Sequence, residues 1–95
     1  MEFEWDEAKN RVNIRKHGID FNSASCVFDD PLALNRRDRI EDGEQRWQIL
    51  GVIEEGILLL LVVFVYRDAG DTERIRIISA RKATKRERKS YEETI

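Results

Sequence analysis

One cysteine, one histidine and one proline are all that these 95 residues hold of three types that usually mark special chemistry or a break in the chain. Cys26 alone allows no internal disulfide, so nothing in the thiol count points to a secreted, cross-linked scaffold. His17 alone excludes a two-histidine acid–base pair. With one cysteine and no carboxylates paired at metal-ligand spacing on a helix, there is no zinc or magnesium set. Neither a GxSxG elbow nor a glycine-rich phosphate loop occurs. The apolar run Ile57–Tyr66 is ten residues long, against the roughly 20 that a membrane-spanning helix needs. Met1 leads straight into EFEWDE with no basic-then-apolar leader, so a soluble cytoplasmic domain is expected.

What the chain does have is charge. Charged residues make up 38% of it, above the roughly 25% of ordinary soluble domains, while 41% hydrophobic residues are enough for one small core. The length fits a single domain, residues 1–95. Net charge is −2, yet the positive charge is concentrated. The stretch RIRIISARKATKRERKSY holds Arg74, Arg76, Arg81, Lys82, Lys85, Arg86, Arg88 and Lys89 against one acid, Glu87. A local cluster is what a ligand feels, because salt screens beyond about 8 Å. Guanidinium forks suit phosphate oxygens, so the stretch points to a phosphate-bearing partner at one place.

The periodicities predict an α+β domain of order β-α-α-β-β-β-β-α on a largely antiparallel meander. Asp6 fits the N-cap of a first helix, with Ala8 and Val12 sharing one face, and Gly18 fits its C-terminal stop. Asp20 starts a shorter helix through Ala24 to Phe28, which Asp29, Asp30 and Pro31 end. A strand from Leu32 reaches a hairpin turn at Asp42-Gly43. In the next strand Trp47, Ile49 and Ile53 share one face and Arg46 and Gln48 the other. After the turn Glu54-Glu55-Gly56, the run Ile57–Tyr66 suits a central strand covered on both faces. In Glu73–Ala80, Arg74 and Arg76 oppose Ile75 and Ile77, and Ile78 breaks the alternation, which predicts a bulge near Ser79. Thr84 and Glu87 have capping-box spacing at the head of a last helix, whose apolar side is little more than Ala83 and Tyr91.

Three segments, FEWDEAKNRVNIRKHGIDF, EQRWQILG and RIRIISARKATKRERKSY, spread over nearly the whole chain in this order, resemble the BrnT family of toxins from bacterial type II toxin–antitoxin pairs. The resemblance implies a compact RelE-like fold and a metal-independent, cofactor-free endoribonuclease that stops translation. It also implies a small BrnA-like antitoxin encoded by the adjacent gene, which neutralises the toxin and contacts operator DNA on behalf of the complex.

Such cleavage uses the ribose 2′-hydroxyl as nucleophile, so the enzyme must align it, stabilise charge on phosphorus and move two protons. Arg46, Arg67, Arg76 and Arg81 lie on or just after consecutive predicted strands and are the candidates for holding the phosphate. Ser79 can bond a phosphate oxygen, His17 can move a proton near neutral pH, and Tyr91 can orient RNA or stack on a base. Arg74, Lys82, Lys85, Arg86, Arg88 and Lys89 form a ridge for the RNA backbone or for the antitoxin's acids. Glu44 and Glu87 are possible bases.

Each residue also has a plainer reading: salt-bridged strand arginines, a solvated helix face, a histidine at a helix end, a packed tyrosine. Two other functions use the same features. One is a non-catalytic nucleic-acid-binding or operon-autoregulatory module; the other is a degenerate toxin that persists only as half of a complex.

Overall fold

The computed structural model describes residues 1–94. The elements run β1 (Glu2–Glu4), α1 (Glu7–His17), α2 (Phe21–Ala24) continuing as a 3₁₀ segment (Ser25–Asp29), β2 (Leu34–Glu41), β3 (Glu44–Ile53), β4 (Leu58–Tyr66), β5 (Arg74–Lys82) and α3 (Lys85–Glu92). The expected α+β order is therefore present, with boundaries moved by a residue or two.

Local chemistry sets the element ends. The Asp6 side chain accepts from the Lys9 N–H, and Gly18, at φ 72°, sends its N–H back to Ile14. Asp20 caps α2 through Ser23 N–H. Asp42 and Gly43 both have positive φ, 51° and 76°, the pairing a two-residue hairpin turn needs to match strand twist. Thr84 and Glu87 complete a reciprocal capping box on α3.

The five strands form one sheet in the order β1-β5-β4-β3-β2. The last four strands are an antiparallel meander, and β1 joins β5 in parallel. β4 is central, as its apolar run predicts. One face of the sheet carries the main core: Ile49, Ile53, Leu60, Val62, Phe64, Ile75, Ile77 and Ala80 pack against Ile19, Phe21, Ala24 and Val27 of the helical layer. Gly51, paired with Leu60 on that face, suits its place because a Cβ there would meet the Val27 carbonyl at 3.2 Å. The opposite face has a smaller cluster, in which Tyr91 and Ala83 cover Leu50, Leu59 and Leu61.

One expectation is overturned. The Ala8–Val12 face of α1 is not buried, and Val12 is 49% exposed. The buried residues of α1 are Asn10 and Asn13. Asn13 bonds the Ala80 amide through Oδ1 at 3.2 Å and the carbonyls of Ala80 and Ile19 through Nδ2 at 2.8 and 2.9 Å. Asn10 accepts from Phe21 N–H at 2.8 Å. The cause is the shortness of β1, which pairs only with Arg74–Arg76. Beyond Arg76 the outer edge of β5 still needs hydrogen-bond partners, and an amide on α1 supplies them where an apolar side chain would not.

Candidate functional site

The bulge in β5 decides which side chains share a surface. Phe64 pairs with Ile77 and Val63 with Ser79, so Ile78 is the extra residue. In an unbroken strand Arg76 and Arg81, five positions apart, would point to opposite faces. The bulge removes one step, and Arg76, Ser79 and Arg81 all stand on the face away from the main core.

That face can be read in cross-strand rows. Arg46, one residue before Trp47, falls beside Val65, which pairs with Arg76, which pairs with Glu4. The next row is Arg36–Gln48–Val63–Ser79, and the next is Leu34–Leu50–Leu61–Arg81. α3 lies over this last row, and in the first row Val65 is buried. Arg46 and Arg76 are therefore two strand spacings apart, about 10 Å at Cα. Arg81 lies four ladder steps along β5 from Arg76, about 13 Å at about 3.3 Å per residue. The four expected arginines share one face but form two groups along it.

Each has its own carboxylate. Arg46 is 3.4 Å from Glu41 and Arg67 pairs with Glu44. Arg76 is 2.7 Å from Glu4, which also draws in Arg74 together with Glu2. Arg81 makes a two-pronged contact with Glu87, at 2.8 and 3.0 Å. The scarcity of acids around Arg74–Lys89 in sequence is thus corrected in space: β1 brings Glu2 and Glu4 alongside. The Arg81 contact and the Thr84 backbone N–H hold the Glu87 carboxyl down at about 2, while Arg81 is raised in turn. A carboxylate that releases its proton so readily is a weak base, which counts against Glu87 as proton acceptor. Among the described residues Arg46 Nε is buried without an acceptor, an orphaned donor of the kind that marks strain or function.

The remaining candidates are placed elsewhere. Tyr91 is buried and its hydroxyl donates to Asp30 at 2.6 Å. Burial, with that bond and the Asp30 charge, pushes the phenol up to about 12. In this arrangement Tyr91 fastens α3 to the loop before β2 and is not open to RNA. His17 is half-buried and lines a groove with Val12, Lys16, Ile78 and Ser79 on the α1 side of β5. Lys82, Lys85, Arg86, Arg88 and Lys89 are exposed, with no carboxylate partner among the described residues.

Arg36, Gln48, Asn13 and Asp30 were not singled out from the sequence. Leu34 and Arg36 alternate with Asn35 in β2, which is the one signal that Arg36 shares a face with the partly buried Leu34. Gln48 was read only as part of a strand face and Asp30 only as a helix stop; their roles, and that of Asn13, show through partners 12 to 67 positions distant. Among the described residues, no group of three or more His, Cys, Asp or Glu side chains is arranged to hold a metal ion, and no helix is long and apolar enough to cross a membrane.

No curated protein matches the chain. Residues 5–87, spanning both arginine groups and the β5 bulge, match the family described as ribonuclease toxin, BrnT, of type II toxin–antitoxin systems. The chain belongs to that family, a ribonuclease toxin family whose members are paired with a cognate antitoxin.

Proposed function

We propose that this chain acts as a single toxin domain over residues 1–95, in the cytoplasm, as a metal-independent endoribonuclease that cleaves RNA, halts translation and is neutralised by a BrnA-like antitoxin. The observation that carries the reading is the β5 bulge, which turns Arg76, Ser79 and Arg81 to one face alongside Arg46.

RNA would lie across that face with the scissile linkage over the Gln48–Val63–Ser79 row, between the two arginine groups. The 2′-oxygen attacks phosphorus and gives up its proton, the bond from phosphorus to the 5′-oxygen breaks, and that oxygen takes a proton. The products are a 2′,3′-cyclic phosphate and a 5′-hydroxyl. Arg76, Arg81 and Arg46 stabilise the charge on the phosphoryl oxygens, with Arg67 and Arg74 at the open end of the sheet and Ser79 on the row beneath. His17, which shares a groove with Ser79, is the proposed carrier of one proton. Lys82, Lys85, Arg86, Arg88 and Lys89 steer the strand by charge. Tyr91 contributes by holding α3 in place.

The carboxylates on the arginines are compatible with this. Arg76 and Glu4 are about one-third exposed, and such pairs are worth only about 0–1 kcal/mol, so a phosphate can displace Glu4 at small cost; Glu87, 14% exposed and bonded to Thr84 as well, is held more firmly. The same pairs favour a second reading, a nucleic-acid-binding or operon-autoregulatory module without cleavage, whose contact with operator DNA runs through the antitoxin.

The purified chain should cut single-stranded RNA in the presence of a chelator and leave cyclic-phosphate ends. Arg76→Ala should slow this by about 10²–10³-fold with folding intact. Intact RNA from a folded, antitoxin-free protein would remove the nuclease reading, and binding that survives would leave the module.

A further inference from the structure

Beside Arg81, at the α3 end of the same face, lies a pocket of about 200 Å³. Its floor is the apolar triplet Leu34, Leu50 and Leu61, one cross-strand row. Its rim is Arg36, Gln48, Arg86 and Glu87. The volume lies below the roughly 300–1,000 Å³ of pockets for drug-sized ligands, a scale that suits one flat heterocycle.

The rim is charged in an uneven way. Arg46, Arg67, Arg74, Arg76 and Arg81 on this face are each neutralised by a carboxylate. Arg36 and Arg86 have none among the described residues. Arg36 Nε donates to Gln48 Oε1 at 3.0 Å, a bond that fixes the guanidinium at the pocket mouth and leaves its two terminal nitrogens free. The same bond fixes the Gln48 amide, whose NH₂ remains available to a ligand edge. Glu87, although on the rim, is already paired with Arg81. Two uncompensated guanidiniums over an apolar floor match a ligand with a flat apolar body and an adjoining anion.

We propose that this pocket seats one nucleobase of the RNA strand, with the adjoining phosphate between Arg36 and Arg86 and the base edge read by Gln48. The inference rests on the ribonuclease reading, since a base seated here places the next linkage beside Arg81. It makes Gln48 a specificity-determining residue.

The test uses the full chain and a dinucleoside monophosphate with 2′-deoxyribose at its 5′ residue, which cannot be cleaved by 2′-attack. Methyl resonances of Leu34, Leu50 and Leu61 should shift on titration. The exposed-residue variant Arg36→Ala/Arg86→Ala should bind at least tenfold more weakly with an unchanged spectrum when free. Shifts confined to other methyl groups, or unchanged affinity in the variant, would overturn the proposal. A second arm maps cleavage sites in a mixed-sequence RNA pool, where Gln48→Leu should change the preferred base. Cleavage with the wild-type preference in Gln48→Leu overturns the pocket and leaves the nuclease standing. Leucine shifts with no cleavage by the wild-type chain support the pocket and sink the nuclease.

Discussion

Arg81 and Glu87 grip each other through two parallel hydrogen bonds, 2.8 and 3.0 Å long, and so join β5 to the first turn of α3. Glu87 Oε1 also accepts the Thr84 N–H at 2.8 Å. One carboxylate thus closes the capping box, ties helix to sheet and occupies an arginine of the proposed RNA face.

The pair has a pH signature. The folded carboxyl of Glu87 lies near 2, below its ordinary 4.5. Its contribution to stability is therefore complete above about pH 4.5 and is lost as pH falls toward 2. Arg81 is 38% exposed, so solvent screens part of the effect, and about 1–2 kcal/mol is expected. Urea unfolding of wild type and Glu87→Gln at pH 7 and pH 3 checks this. The difference between the two proteins should shrink at the lower pH.

Releasing an arginine from its acid should strengthen RNA binding. Glu4 holds Arg76 at 2.7 Å, so Glu4→Gln should lower the Kd for single-stranded RNA a few-fold and steepen its dependence on salt. Arg76→Ala should lower the cleavage rate by about 10²–10³-fold, the usual loss of one charge-stabilising group. Fluorescence anisotropy over a salt series, beside cleavage rates, reads both.

Asn13 should matter more than any apolar residue of α1. Asn13→Ala leaves the Ala80 amide and carbonyl, and the Ile19 carbonyl, without their side-chain partner. A loss of about 2–4 kcal/mol is expected for buried groups left unsatisfied. Val12, at 49% exposure, should tolerate Val12→Thr within about 0.5 kcal/mol. Denaturant midpoints at constant slope distinguish the two.

Tyr91→Phe removes the hydroxyl bond to Asp30. Burial raises the Asp30 carboxyl, but the bonds from Tyr91, Val52 and Leu32 outweigh it and hold the group below its usual value. Tyr91→Phe should cost about 1–2 kcal/mol and leave cleavage near wild type below the melting temperature. A large fall in activity with little change in stability would return Tyr91 to the reacting atoms.

The elements were legible where the information is local. Asp6, Gly18, Asp20, Asp42-Gly43 and the Thr84–Glu87 box act within a few residues of where they stand, so their spacing alone marks the ends of helices and turns. The break at Ile78 was legible for the same reason, since two adjacent apolar residues violate a period of two. The faces of β3 followed from alternation, and Arg46 and Gln48 lie together as that pattern requires.

Pairing between distant segments was not legible. Nothing near Arg74 or Arg76 in sequence announces Glu2 and Glu4, because parallel pairing with β1 joins positions 72 apart. The inward face of α1 was misread because hydrophobic periodicity assumes that helices dock through apolar side chains. Here a short β1 exposes backbone on β5, and the need to satisfy it turns the asparagines inward. Residue order alone thus determined the elements, their caps and the family, all written in neighbouring positions. Tertiary structure alone decided which arginines share a surface and which acids hold them, because Coulomb and hydrogen-bond energies depend on distance in space and not on distance along the chain.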